Sequence, residues 1–85
     1  ELDLVMRHAD AVVVVEVRYR SSEAWGGAAA SVDAFKQRRI VAATARLLAL
    51  RPAWAQARVR FDVVAVSGVA PEWRFEWLQD AFRAG

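Results

Sequence analysis

The stretch AVVVVEVRY, residues 11–19, constrains this chain more than any other, because five valines in nine residues have restricted χ1 rotation and suit a strand covered on both faces. Just upstream, Glu1 to Arg7 (ELDLVMR) alternates polar and apolar at its start, and His8, Ala9 and Asp10 interrupt the run. The two segments are expected to form a β-hairpin. With a two-residue loop at Ala9 and Asp10, residues whose numbers sum to 19 lie opposite one another. Asp3 then faces Glu16 and Glu1 faces Arg18. Because side chains alternate with period 2, these four project from one face, with Val5, Val12 and Val14 nearer the turn. The opposite face reads Leu2, Leu4, Met6, Val13, Val15 and Val17.

Two carboxylates directly opposed across a hairpin repel unless something positive lies between them. A divalent cation answers that need, and so does Arg18. Carboxylate oxygens suit Mg²⁺ or Mn²⁺, and a metal held by two acids with open positions can polarise a phosphodiester and activate water. The plainer arrangement is an ion-pair ladder, Glu1 with Arg18 and Asp3 with Arg7, on a solvated face. Against it, Glu16 interrupts an apolar strand that reads as central, where an acid is rarely tolerated without a partner or a metal.

Downstream, Arg20 to Gly27 holds Ser21, Ser22, Gly26 and Gly27 and reads as a loop. Ser31 or Asp33 can cap a helix running to about Arg51, where Pro52 follows the last turn. Ile40, Val41, Thr44, Leu47 and Leu48 form its apolar stripe, and Gln37 falls inside that stripe at the first turn. Gln37 could bind a phosphate or a metal-bound water near the acids; alternatively its amide closes off strand-end backbone groups. Arg38, Arg39 and Arg46 lie on the other side, with Lys36 at the stripe's edge. Val59 to Ser67 predicts a third strand, ended by Gly68 and Pro71, and Trp73 to Trp77 a short edge strand followed by a helical turn from Leu78 to Arg83. Asp62 reads as a paired structural acid within the third strand.

Eighty-five residues suffice for one core, so the chain is expected to be a single α/β domain in which the helix covers one sheet face. With no cysteine, disulfides and thiolate metal sites are excluded, and cytoplasm is the expected compartment. A single histidine, His8, excludes a histidine cluster or a catalytic triad. The longest apolar run, Ala11 to Val15, is far below the roughly 20 residues of a membrane helix, so no membrane partner is expected. Charge is uneven: residues 18–60 carry +7, while residues 1–17 and 61–85 carry −3 and −2. That asymmetry fits a polyanion, although a merely solvated basic face would look the same.

The segments ELDLVMR (1–7), VVVVEVRYR (12–20), WGGAAASV (25–32), KQRR (36–39), RFDVVAV (60–66) and WLQDAF (77–82) resemble, in this order, the YraN-like endonuclease family, UPF0102. An aspartate strand followed by a V-x-V-E-V-(K/R) strand is similar to the bipartite metal motif of the PD-(D/E)xK nuclease superfamily. The resemblance implies a restriction-endonuclease-like core, a mixed β-sheet with flanking helices. It also implies metal-dependent hydrolysis of phosphodiester bonds, with a nucleic-acid partner, DNA favoured over RNA. By resemblance Asp3 and Glu16 are the metal ligands, for Mg²⁺ or Mn²⁺. Arg18 occupies the superfamily's lysine position, Gln37 lies on the following helix, and Arg20, Lys36 and Arg39 would contact nucleic acid. The superfamily lysine is held to deprotonate or orient the attacking water; a guanidinium cannot act as a base at neutral pH, so Arg18 would bind phosphate or steady developing charge.

The family also has a helix before the glycine that precedes the segment matching Glu1. Glu1 itself reads as already within a strand, so upstream residues are expected. The single long helix has one apolar stripe, enough for one side of the sheet. The face of Leu2, Leu4, Met6, Val13, Val15 and Val17 is therefore expected to be covered by the upstream helix, or by self-association as a homodimer.

Overall fold

A computed structural model describes residues 2–19 in full, the backbone of Arg20, and residues 32–84. The chain enters β1 (Leu4–His8), turns at Ala9 and Asp10, and returns as β2 (Ala11–Arg20). After residues 21–31 come helix α1 (Ala34–Ala49), a single 3-10 turn (Pro52–Trp54), β3 (Arg58–Val69) and β4 (Glu72–Phe82). The four strands form one mixed sheet in the order β1-β2-β3-β4. β1 and β2 are antiparallel, β2 and β3 parallel, and β3 and β4 antiparallel. Parallel neighbours cannot be joined by a tight turn, and α1 lies in the connection that carries the chain from the end of β2 to the start of β3.

The hairpin has the expected register, with Leu4 opposite Val15, Met6 opposite Val13 and His8 opposite Ala11. Ala9 accommodates the tight reversal at φ 55. At the other end the strand begins later than expected. Asp3 is a bend and Leu2 precedes β1. Alternation stops there, and Leu2 packs with the helix-side cluster instead of joining Leu4 and Met6.

Asp33 caps α1 as expected, its Oδ1 accepting from the Lys36 amide at 2.8 Å. The helix buries Ile40, Ala43 and Thr44, while Val41, Leu47 and Leu48 are half-buried. The Thr44 hydroxyl donates to the Ile40 carbonyl, so its burial leaves no polar atom unpaired. Beneath the helix lies the principal core, Val14, Val32, Ile40, Phe61 and Val63.

One expectation fails outright. Residues 78–83 do not form a helical turn, because β4 runs unbroken through Glu72–Phe82. A register shift between Phe61 and Val63, with Asp80 at φ 54, places Leu78, Ala81 and Phe82 together against the principal core. The bulge spaces apolar residues at i, i+3 and i+4 within a strand, which imitates a helical stripe in the sequence. Phe82 stacks on Phe61 with ring centroids 5.0 Å apart.

On the sheet's other face Ala11, Val13 and Val15 are buried, with Val64 beside them. Leu4, Met6, Val17, Tyr19, Trp73, Phe75 and Trp77 are exposed. No helix among the described residues covers this face, as the single apolar stripe of α1 predicted. Tyr19 crosses its end, donating to the Gly68 carbonyl at 3.0 Å and meeting Trp73 edge-on. Gly68 is obligatory there: φ is +92 and a Cβ would lie 2.6 Å from the Glu72 carbonyl oxygen.

Candidate functional site

The acid face of β2 starts in apolar surroundings. Val12 and Val14 are buried, and the same alternation carries Glu16 to the helix side of the sheet beside Val63, which is fully buried. Glu16 is only 4% exposed. A carboxylate held among valines requires opposite charge nearby, and two cations supply it. Lys36, from the first turn of α1, places its Nζ 3.2 Å from Glu16 Oε2. Arg18, two residues further along β2, places an NH1 nitrogen 3.7 Å from the same oxygen. Lys36 lies one turn before the buried Ile40, so it sits on the side of α1 that meets the sheet.

The start of α1 is fixed by three hydrogen bonds. Asp33 accepts from the Lys36 amide through its side chain and from the Gln37 amide through its carbonyl at 2.9 Å. The Gln37 side chain donates Nε2 to the Val32 carbonyl at 3.0 Å. Gln37 thus closes off a backbone group, as the second sequence reading held, but one at the entry to the helix and not at a strand end. That contact holds the chain entering the helix, and with it the stem of Lys36.

Asp3 reaches β2 differently from the direct opposition expected. Its Oδ2 accepts from the Val17 amide at 3.0 Å, one residue along from Glu16. The ladder ends at Leu4 and Val15, and the bend at Asp3 turns its carboxylate onto the backbone of β2, where a side-chain oxygen takes the place of a strand carbonyl. Of the expected ion-pair ladder, the Asp3–Arg7 rung is replaced, Asp3 accepting from Val17 and Arg7 lying over the Trp54 ring at 6.0 Å, while the Glu1–Arg18 rung falls outside the described residues. Glu1 and residues 21–31, where the sequence predicts a loop as far as Gly27, lie outside the described residues, as does the side chain of Arg20. Arg39 is exposed over the Phe35 ring at 5.8 Å, and Arg38 and Arg46 are exposed on the same helix.

Sequence reasoning set Lys36 at the edge of the apolar stripe without linking it to Glu16, and the structure brings it to that acid. Its spacing of four from Ile40 was the available signal. Glu16 is thus flanked by Arg18 and Lys36, while Asp3 is held on the amide of Val17, the next residue of β2. No group of three or more acidic, histidine or cysteine side chains gathers among the described residues. Two carboxylates suit Mg²⁺, which keeps several waters and needs few protein ligands, so the donor chemistry fits that ion or Mn²⁺.

A second buried acid lies one strand away on the opposite face. Asp62 has no exposed surface. Its carboxylate accepts a guanidinium fork from Arg60 at 2.9 and 2.8 Å, the Trp77 indole N–H at 2.8 Å and the Asp80 amide at 2.9 Å. Burial alone would raise its carboxyl, but the Arg60, Asp80 and Trp77 donors outweigh burial and hold it below the ordinary carboxylate range. It is the paired structural acid the sequence suggested. A cleft of about 620 Å³ lies along the later turns of α1, lined by Val41, Thr44, Leu48, Phe61 and Phe82, and contains neither Asp3 nor Glu16.

Comparison with known proteins bears on the same segments. Residues 1–66 match the model of the uncharacterised protein family UPF0102. A UPF0102 protein of Xanthomonas oryzae is 51% identical over 84 residues, spanning 99% of this chain and 67% of that protein. UPF0102 proteins of Stutzerimonas stutzeri and Pseudomonas fluorescens are 45% and 46% identical, over 99% and 96% of this chain and 70% and 68% of theirs. The chain therefore spans about two thirds of the length of these relatives.

Proposed function

The chain belongs to the uncharacterised protein family UPF0102, and from that premise and the geometry of β2 we propose that it is a metal-dependent endonuclease with a restriction-endonuclease-like core. The observation that carries the reading is Glu16, an acid kept in the valine interior of a central strand and turned toward a helix start that offers it a lysine. A structural role alone would be served better by another valine, since burying a charge is costly and a salt bridge rarely repays it in stability. Asp3 and Glu16 would hold Mg²⁺ or Mn²⁺. The metal would supply Lewis-acid polarisation of a phosphodiester and a water of lowered pKa.

The protein's own residues have separable tasks. Arg18 and Lys36 flank Glu16 and would hold phosphate oxygens, and Arg18 would steady charge developing on the phosphorus-bound oxygens. Gln37 positions the helix start through Val32. Arg20 and the exposed Arg39 would contact the nucleic-acid backbone away from the acids, DNA being the favoured partner, and cytoplasm the compartment. No helix among the described residues is long and apolar enough to cross a membrane.

Calorimetric titration with Mn²⁺, paired with cleavage of plasmid DNA in Mg²⁺, tests the proposal. Asp3→Ala and Glu16→Ala should each abolish metal binding and cleavage while the far-ultraviolet spectrum stays that of the parent. Unchanged Mn²⁺ affinity in both variants would refute the metal site. A second reading, a nucleic-acid-binding module without catalysis, is favoured by one observation: the Gln37 amide and Glu16 Oε2 are already engaged by protein groups. Salt-sensitive DNA binding with no cleavage in either metal would select it.

A further inference from the structure

We propose that Lys36 is a tethered cation that gates Glu16, so that metal and a phosphodiester backbone bind this site with positive coupling. The inference rests on the nuclease reading and adds the regulation of its site. The acid and its two cations differ in freedom. Glu16 is fixed in the middle of the sheet with its side chain 6% exposed, whereas the side chains of Lys36 and Arg18 are 37% and 34% exposed. Both cations approach the same oxygen, Oε2. A divalent ion approaching that oxygen meets an ammonium at 3.2 Å, and like charges at such range exclude one another.

The two cations are not equivalent as obstacles. Arg18 belongs to β2, on the face of Glu16 and two residues away, and stays beside it whatever binds. Lys36 comes from another element on a flexible four-carbon stem, and a compact ammonium on such a stem can change partners without moving the helix. A phosphate oxygen offers that ammonium an alternative anion at the protein surface. When Lys36 goes to phosphate, Glu16 Oε2 becomes available to the metal. Linkage then requires the reverse effect of equal size: bound metal displaces Lys36 and leaves it for phosphate. Without nucleic acid, the lysine keeps a buried carboxylate neutralised and the metal weakly held. The gate therefore restricts metal loading to the substrate-bound protein.

The test measures Mn²⁺ occupancy through paramagnetic broadening of the Val17 and Lys36 amide signals. Free Mn²⁺ is fixed by equilibrium dialysis, with and without a short phosphorothioate-linked DNA duplex. In the parent, DNA should tighten Mn²⁺ binding by about tenfold, within the usual range of coupling between sites. Lys36→Met should bind Mn²⁺ several-fold more tightly than the parent without DNA and lose most of the DNA effect. Lys36→Arg, which keeps a cation at the same helix position on a long flexible side chain, should retain coupling. Melting temperatures near the parent's would show that α1 is intact in both variants. A parent with no DNA effect, or a Lys36→Met variant that binds Mn²⁺ no more tightly, overturns the gate. In either case Glu16-dependent Mn²⁺ binding leaves the nuclease reading standing. Absence of Glu16-dependent broadening in every variant overturns both.

Discussion

Two buried carboxylates occupy adjacent strands of one sheet, and they are built in opposite ways. Asp62 on β3 is locked by a guanidinium fork, an indole and a backbone amide, all at 2.8–2.9 Å. Glu16 on β2 is met by two long side chains whose charged ends approach one oxygen at 3.2 and 3.7 Å. Asp62 joins β3 to β4 across a register shift and fixes Asp80 in its left-handed conformation. Glu16 links β2 to the first turn of α1 through side-chain charge alone, with no backbone donor among the described residues. An acid whose donors are short, directional and partly backbone is a strut, whereas an acid facing displaceable cations is available for exchange.

The largest expected effect follows from removing the strut. Asp62→Ala leaves Arg60, the Trp77 indole and the Asp80 amide without their acceptor, and should destabilise the fold by about 3 kcal/mol. For a domain of this size that lowers the melting temperature by roughly 12 °C or more, measurable by circular dichroism. The acid limb of stability gives the next effect. The folded Asp62 carboxyl lies below the ordinary range, so its contribution is fully present above the unfolded value of about 3.9 and is lost as pH falls through the folded value. Urea unfolding from pH 7 to 2.5 should show parent stability falling below about pH 4, and a shallower fall in Asp62→Asn. Parallel curves for the two proteins would deny Asp62 its role as strut.

The same contrast explains which features could be read from the sequence. Period-2 alternation and a two-residue turn determined the hairpin register, because slipping by one would turn every valine of β2 to the wrong face. Asp33 was legible as a cap because its side chain acts on its own local backbone. What could not be read depended on partners distant in sequence. The Asp62 anchor and the bulge it stabilises convert residues 78–82 from an apparent helical turn into strand. The Asp3 bend redirects a carboxylate from Glu16 to the Val17 amide. Lys36 reads from the sequence only as a residue at the edge of the apolar stripe, and the packing of α1 on β2 is what shows which acid it meets.

A smaller effect dissects the strut itself. Trp77→Phe keeps most of a half-exposed ring but withdraws one of the donors to Asp62 Oδ2, leaving the Arg60 fork in place. It should cost about 1.5 kcal/mol, the low end for a hydrogen bond to a charged group, because that group keeps its other partners. Equilibrium urea unfolding resolves that difference, and a neutral result would show that the indole packs without bonding.

The smallest expected effect is at Glu16, and its smallness is the point. Glu16→Gln keeps the shape of the side chain and removes the charge, so the amide can still accept from Lys36 through its oxygen. The charge it withdraws is one that Lys36 and Arg18 can replace with water, since both are more than a third exposed. An ion pair with such partners contributes little, and the buried acid's own desolvation cost is relieved by neutralisation. Unfolding free energy should therefore change by less than about 1 kcal/mol in either direction, while Mn²⁺ binding disappears because a neutral amide is a poor ligand for a divalent ion. A loss of stability as large as that of Asp62→Ala would place Glu16 with the struts and remove the physical ground for treating it as an exchangeable site.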